Sequence, residues 1–122
     1  MISSQGILNY DGKWCLVECD YNLGRYLRKL FLLGHGIKLQ RPARSEHITV
    51  VSHHEEVSKN WRVRDGELIN FDLHTCLYTN GNAFWYPAWS QQLFTLREQL
   101  GLGCPPIPLH FCFGYIKENE DD

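Results

Sequence analysis

The chain has 122 residues and a formal net charge of −2, which is the size of one ordinary domain. Its content of 43% hydrophobic and 21% charged residues excludes a disordered chain. No apolar run approaches the roughly 18 residues that a membrane-spanning helix needs, so we expect no membrane association through such a span.

The first half of the chain predicts two strands, a helix and a third strand. The Asp11-Gly12 pair lies between apolar stretches and is typical of a β-hairpin turn. Apolar residues recur at helical spacing from Leu23 to Phe31, so we predict a helix with Asn22 as its cap and with Gly34 and Gly36 at its end. The β-branched stretch 47–51 then predicts a strand.

The second half predicts a similar series. Residues 68–78 alternate well enough for one or two strands, and Asn80-Gly81-Asn82 is typical of a turn that leads into a strand over 83–86. A second helix is predicted to start near Ser90. The strongly apolar stretch 109–116 predicts the last strand.

Each half thus runs through strand, helix, glycine stop, proline-bearing loop and histidine-bearing strand. We therefore predict an α+β fold of two pseudo-symmetric β-α-β lobes, whose antiparallel sheets surround a central groove. A single domain is expected over residues 1–117. Residues 118–122 are expected to be an acidic, disordered tail, since four of the five are acids.

The two histidine-bearing strands carry the candidate chemistry. Side chains alternate along a strand, so His47 shares a face with Thr49, and His110 shares a face with Cys112. Cleavage of a phosphodiester needs a base for the attacking oxygen and an acid for the leaving oxygen, and imidazole suits both tasks near neutral pH. The Thr49 hydroxyl is suited to donate to a phosphate oxygen. This chemistry requires no metal or other cofactor.

These residues resemble a known family. His47-Ile48-Thr49-Val50 matches the H-h-[T/S]-h motif, with h hydrophobic, of the 2H phosphoesterase (LigT-like) superfamily. His110-Phe111-Cys112-Phe113 resembles a second copy, in which Cys112 replaces the usual hydroxyl residue. The resemblance implies that His47 and His110 act as general acid and base, and that Thr49 and Cys112 hold the phosphate.

The resemblance also implies a substrate class. Members of this superfamily cleave 2′,3′-cyclic phosphates, 2′–5′ linkages and similar RNA ends. Small phage members, the anti-CBASS enzymes, degrade cyclic oligonucleotide signals of bacterial immunity. The expected partner is therefore a small nucleotide, a cyclic oligonucleotide or an RNA end.

Basic and aromatic residues supply further candidates. Residues 21–45 carry six bases and no acid, and of these Arg41 and Arg44 precede the first motif strand. Lys117 follows the last strand. These three cations are expected to contact phosphate, and Trp14 and Tyr115 are expected to contact the substrate through their rings.

Other interpretations remain open at this point. A module of the same fold could capture a nucleotide or RNA without cutting it, or both histidines could be structural in an interaction protein. Cys15 and Cys19 have no second cysteine pair to complete a zinc site, so no metal site is predicted. The count of five cysteines is odd, and the N-terminal stretch does not resemble a secretory signal. Both features favour free thiols and a cytoplasmic location. If the protein is viral, the expected location is the cytoplasm of the host cell.

Overall fold

The structure is a computed structural model that describes residues 1–44, 46–57 and 59–116. Within these residues it contains seven strands and two helices. The strands are β1 (Ile2–Asp11), β2 (Trp14–Cys19), β3 (His47–Val51), β4 (Leu68–Leu73), β5 (Tyr78–Thr79), β6 (Ala83–Trp89) and β7 (His110–Tyr115). The helices are α1 (Tyr21–His35) and α2 (Gln91–Gln99). Neither described helix has the length and apolar character that crossing a membrane requires.

Six of the strands form a closed antiparallel barrel. Neighbouring strands follow the order β4-β1-β2-β3-β7-β6, and β6 returns to β4 through the pairs Asp72–Trp89 and Leu73–Ala88. The two-residue strand β5 also pairs with β6. It lies on the same side of β6 as β4. Closure gives each of the six strands a partner on both sides, which removes long unpaired edges from the sheet.

The prediction of two β-α-β lobes around a central groove is wrong. β1 pairs with β4, and β3 pairs with β7, so strands from both halves of the chain are interleaved in one sheet. The apolar faces of the two histidine-bearing strands enter one shared core, where Ile48 and Phe111 are both fully buried. One core removes more apolar surface from water than two small ones, which favours the interleaved arrangement.

Helix α1 packs its apolar side into this core. Leu27 and Phe31 are buried, and the Phe31 ring contacts aromatic side chains of β6 and β7. Asp20 rather than the predicted Asn22 caps the helix, since the Asp20 carboxylate accepts from the Asn22 backbone N–H at 2.8 Å. The helix ends at Gly36, whose φ of 72° favours glycine.

Helix α2 begins at the predicted cap, Ser90, whose side chain accepts from the Leu93 backbone N–H. Leu93, Leu96 and Leu100 are fully buried in the shared core. Both helices therefore contribute side chains to the shared core. The predicted tail at 118–122 lies outside the described residues.

Candidate active site

The two motif triplets lie side by side on β3 and β7. These strands are antiparallel neighbours, and their ladder pairs Ile48 with Phe111, the middle residue of each triplet. Continuing the antiparallel register by one residue in each direction sets His47 opposite Cys112 and Thr49 opposite His110. Because Ile48 and Phe111 point into the core, the flanking side chains point outward, and all four are partly exposed. We call these four residues the quartet: His47, Thr49, His110 and Cys112.

The register sets the spacing within the quartet. Side chains directly opposite one another across an antiparallel pair have Cβ atoms about 4.5–5.5 Å apart, and diagonal neighbours are about 7–8 Å apart. His47 and His110 are diagonal neighbours, as are Thr49 and Cys112. Both imidazoles thus project from the same outward face, with the hydroxyl and the thiol at the other two corners of the quartet.

His110 is held in one tautomer. Its Nδ1 lies 2.9 Å from the carbonyl oxygen of Pro108. A carbonyl oxygen only accepts hydrogen bonds, so Nδ1 carries the proton of this bond. In the neutral ring, Nε2 is then left as a proton acceptor.

Cys112 differs chemically from the hydroxyl residue that the motif favours. Burial raises the pKa of its thiol, so it stays protonated at neutral pH. The thiol lies 3.8 Å from the Gly114 carbonyl oxygen, and the interactions of the thiol with this oxygen and with the Tyr115 side chain oppose the rise in its pKa. Burial also raises the pKa of Tyr115, with Cys112 as a further cause. The structure thus places Tyr115, a predicted substrate contact, beside the quartet.

Strand β2 borders the quartet on one side. Its register pairs Glu18 with His47 and Leu16 with Thr49. Glu18 is exposed, and its carboxylate accepts a hydrogen bond from Asn9 Nδ2 at 3.0 Å. Sequence reasoning missed Glu18, because only the pairing of β2 with β3 brings it beside a histidine 29 positions later.

Strand β6 borders the quartet on the other side. Trp85 pairs with Cys112, and Pro87 pairs with His110. The Trp85 and His110 ring centroids are 5.7 Å apart. Trp85 lies in the aromatic stretch 84–86 of the sequence, but its place beside the quartet follows only from the pairing of β6 with β7.

The two predicted arginines have carboxylate partners. Arg41 lies 3.2 Å from the buried Glu46, which also pairs with Arg28 at 3.0 Å. The Arg41 guanidinium lies over the Tyr21 ring, 4.4 Å from its centroid, and its side chain stays 49% exposed. Glu46 directly precedes His47, so the ion pair holds Arg41 beside the start of β3.

Arg44 reaches the tip of the β1–β2 hairpin, where its guanidinium lies 2.6 Å from Asp11. Asp11 pairs with Trp14 in the same hairpin. Trp14 is half-buried on the outer face of β2, and its ring contacts the His53 ring at 4.8 Å. Arg44 and Trp14 therefore belong to one neighbourhood at the tip of the β1–β2 hairpin, whereas Lys117 lies outside the described residues.

Neither of two clefts on the surface is lined by a residue of the quartet. The larger, of about 820 Å³, is bordered by β1, β4 and the start of α2, with Trp89 in its wall. The smaller, of about 580 Å³, lies between the β1–β2 turn and residues 53–57. Over the described parts of the chain, no three His, Cys, Asp or Glu side chains converge as metal ligands would.

No protein-family model, curated protein or solved structure matches this chain. The quartet and its neighbours are therefore the basis for assigning a function. Their chemistry is that of two imidazoles, a hydroxyl and a neutral thiol on one open face, with a carboxylate at one border and an indole at the other.

Proposed function

We propose that the protein is a phosphodiesterase in which His47 and His110 act as acid and base on a nucleotide. The substrate class is a cyclic nucleotide, an RNA 2′,3′-cyclic phosphate or a 2′–5′ linkage. One observation carries the proposal: two H-x-T/C triplets lie on adjacent antiparallel strands, in a register that sets both histidines on one face. The likeness of the triplets to the 2H phosphoesterase motif supports the same chemistry.

The two histidines have different roles in this proposal. His110 acts as the base, because its Nδ1–H is bound to Pro108 and its Nε2 is left to accept a proton. His47 acts as the acid, because it is the second imidazole that the register sets on the same face. Thr49 donates a hydrogen bond to a non-bridging oxygen, and the Cys112 thiol supplies a weaker donor.

In the hydrolytic step, His110 Nε2 takes a proton from the attacking water as the water oxygen bonds to phosphorus. The bond from phosphorus to the leaving oxygen breaks, and the His47 imidazolium protonates that oxygen. One water molecule is consumed. Exchange of protons with solvent returns both imidazoles to their starting states.

A module that binds a nucleotide without cutting it is the second candidate. Cys112 favours it, because a thiol that burial keeps neutral is a weak donor where a hydroxyl is expected. Such a module needs the quartet for phosphate capture but not for proton transfer. It predicts that the nucleotide binds to a His47→Gln variant and remains intact.

The test uses purified protein in EDTA with 2′,3′-cyclic mononucleotides and with cyclic di- and trinucleotides. We expect His47→Gln and His110→Gln each to lower kcat/KM by about 10²- to 10⁴-fold, the usual contribution of a positioned acid or base. His35→Gln is the matched control, since His35 lies exposed at the end of α1, where its ring stacks on Phe31. Its activity should equal that of the wild type.

The pH profile tests the two roles. A neutral base and a charged acid give a bell-shaped dependence of kcat/KM on pH. Loss of His110 should remove the limb that rises with pH, and loss of His47 should remove the limb that falls. Intact nucleotide with a raised Tm would support the binding module instead. Neither cleavage nor a Tm shift would overturn both candidates and leave an interaction protein with structural histidines.

A further inference from the structure

The face of β2 that carries Leu16 leads from the quartet towards the β1–β2 hairpin, and Leu16 itself is buried. Leu16 lies opposite Thr49, and Trp14 shares the Leu16 face because side chains alternate along β2. The register of β2 against β3 shifts between Cys15 and Leu16, so Trp14 lies just beyond an irregularity in the ladder. An aromatic side chain thus follows, on the same strand, the residue that lies opposite Thr49.

Beyond Trp14 lies the smaller cleft, which we call the hairpin cleft. Its volume is about 580 Å³, within the usual range for a small-ligand site. His53 forms one wall, and its ring contacts Trp14 at 4.8 Å and His54 at 3.8 Å between centroids. Trp61 is half-buried in the wall of the cleft. Its ring packs edge-on against the Tyr10 ring, with 4.7 Å between the ring centroids. The cleft is therefore rich in rings on which a flat base can stack.

The charges around the hairpin cleft suit a phosphate-linked ligand. Lys13 lines the cleft, and Arg44 lies beside Trp14 through its ion pair with Asp11. Of the two glutamates in the wall, Glu55 is paired with Arg97 at 2.7 Å, which leaves Glu56 as the exposed acid.

The larger cleft has the opposite character. Asp20 and Asp72 line it, and among the described residues its lining includes no Lys, Arg or His. A phosphate-bearing ligand is therefore repelled there, and the hairpin cleft is the better match for a nucleotide.

We propose that the hairpin cleft binds the nucleotide next to the phosphate that the quartet holds. Trp14 and the His53 ring stack the base, and Lys13 faces the connecting phosphate. The preferred substrate is then an oligonucleotide, linear or cyclic, rather than a mononucleotide. This inference rests on the proposed phosphodiesterase function and specifies its substrate.

The test compares three substrates: 2′,3′-cyclic AMP, the dinucleotide ApA with a 2′,3′-cyclic end, and cyclic di-AMP. We expect the wild-type kcat/KM for a dinucleotide to exceed that for the mononucleotide by about tenfold, the typical contribution of one stacked base. The two dinucleotides distinguish an RNA end from a cyclic signal. Trp14→Ala should bring the ratio close to one, and Trp14→Phe should retain most of it.

Two further variants serve as a control for the loss of a tryptophan and as a test of the phosphate contact. Trp89→Ala removes an exposed tryptophan of the larger cleft and should leave the substrate ratio unchanged. Lys13→Ala alters an exposed turn residue, and it should lower the slope of log KM for the dinucleotide against log salt by about 0.7, one phosphate contact.

The outcomes separate this inference from the proposed function. Cleavage of mononucleotide and dinucleotides with equal efficiency overturns the inference alone. So does a Trp14→Ala variant, with the Tm of the wild type, that keeps the wild-type ratio. Failure of the wild type to cleave any of the three substrates overturns the proposed function, and the inference with it.

Discussion

At the residue scale, the Glu55–Arg97 ion pair joins α2 to the segment that follows β3. The Arg97 guanidinium donates to both Glu55 oxygens, at 3.0 and 2.7 Å, and to the carbonyl oxygens of Val50 and Gly103. Its side chain is 3% exposed. The Arg97 hydrogen bond lowers the pKa of Glu55, although partial burial opposes the effect.

Because this pKa is lower in the folded state than in the unfolded state, the charged Glu55 adds stability above its ordinary pKa of about 4.3. That stability is lost as the pH falls through the lowered folded-state value. We expect Glu55→Gln to lower the free energy of unfolding by about 2 kcal/mol at pH 7. The free energy of unfolding of this variant should also fall less than that of the wild type between pH 5 and pH 3. Urea unfolding across this pH range measures both effects.

Glu56→Gln is the matched control for this prediction, because Glu56 is the exposed neighbour of Glu55. It should change the free energy of unfolding by less than about 0.5 kcal/mol. Equal effects of the two substitutions would mean that the ion pair with Arg97 contributes nothing measurable.

At the scale of elements, α1 packs against the segment that precedes β3. Gly24 faces the buried Glu46, and a Cβ at this position would meet Glu46 Cγ and come within 2.7 Å of Oε1. Glu46 is held by Arg28, which also donates to the Phe113 carbonyl oxygen at 3.0 Å. The glycine thus lets the helix approach an ion-paired carboxylate that bridges α1 to β3 and β7.

We expect Gly24→Ala to destabilise the fold by about 1–3 kcal/mol, since the added methyl group must displace Glu46 from its arginine partners. Thermal or urea unfolding measures the loss. Gly34→Ala is the control, because Gly34 lies in the same helix with no atom within 4 Å of an added Cβ. It should instead stabilise by about 0.5–1 kcal/mol. A Gly24→Ala protein as stable as the control would contradict the close approach.

At the scale of the whole molecule, the barrel depends on contacts between distant parts of the chain. β1 pairs with β4 along six residue pairs, and the quartet exists only because β3 lies beside β7. Neither half of the chain contains both strands of either pair, β1 with β4 or β3 with β7. The molecule is therefore expected to fold as one cooperative unit.

Splitting the chain at the Asp65-Gly66 turn tests this expectation. We expect fragments 1–65 and 66–122 each to lack dispersed amide resonances in NMR spectra, because each leaves strand edges and apolar surface exposed. An equimolar mixture should recover dispersion if the fragments complete the barrel. Two independently folded fragments would restore the two-lobe arrangement that the structure contradicts.

The quartet shows how far sequence reasoning reaches for the site. Alternation along each strand is local, so the shared faces of His47 with Thr49 and of His110 with Cys112 follow from the sequence. The neighbours Glu18 and Trp85 do not, because they join the site through strand pairing. The tautomer of His110 likewise depends on how the chain folds at Pro108.

For the whole protein, the sequence by itself determined the main strands, both helices, the cap of α2 and the apolar faces that form the core. These features arise from hydrophobic periodicity and turn chemistry within a few residues. Only the tertiary structure decided that the strands close into one barrel rather than two lobes. The physical reason is that strand pairing is chosen by the burial of all apolar faces together, a property of contacts between residues far apart in the chain.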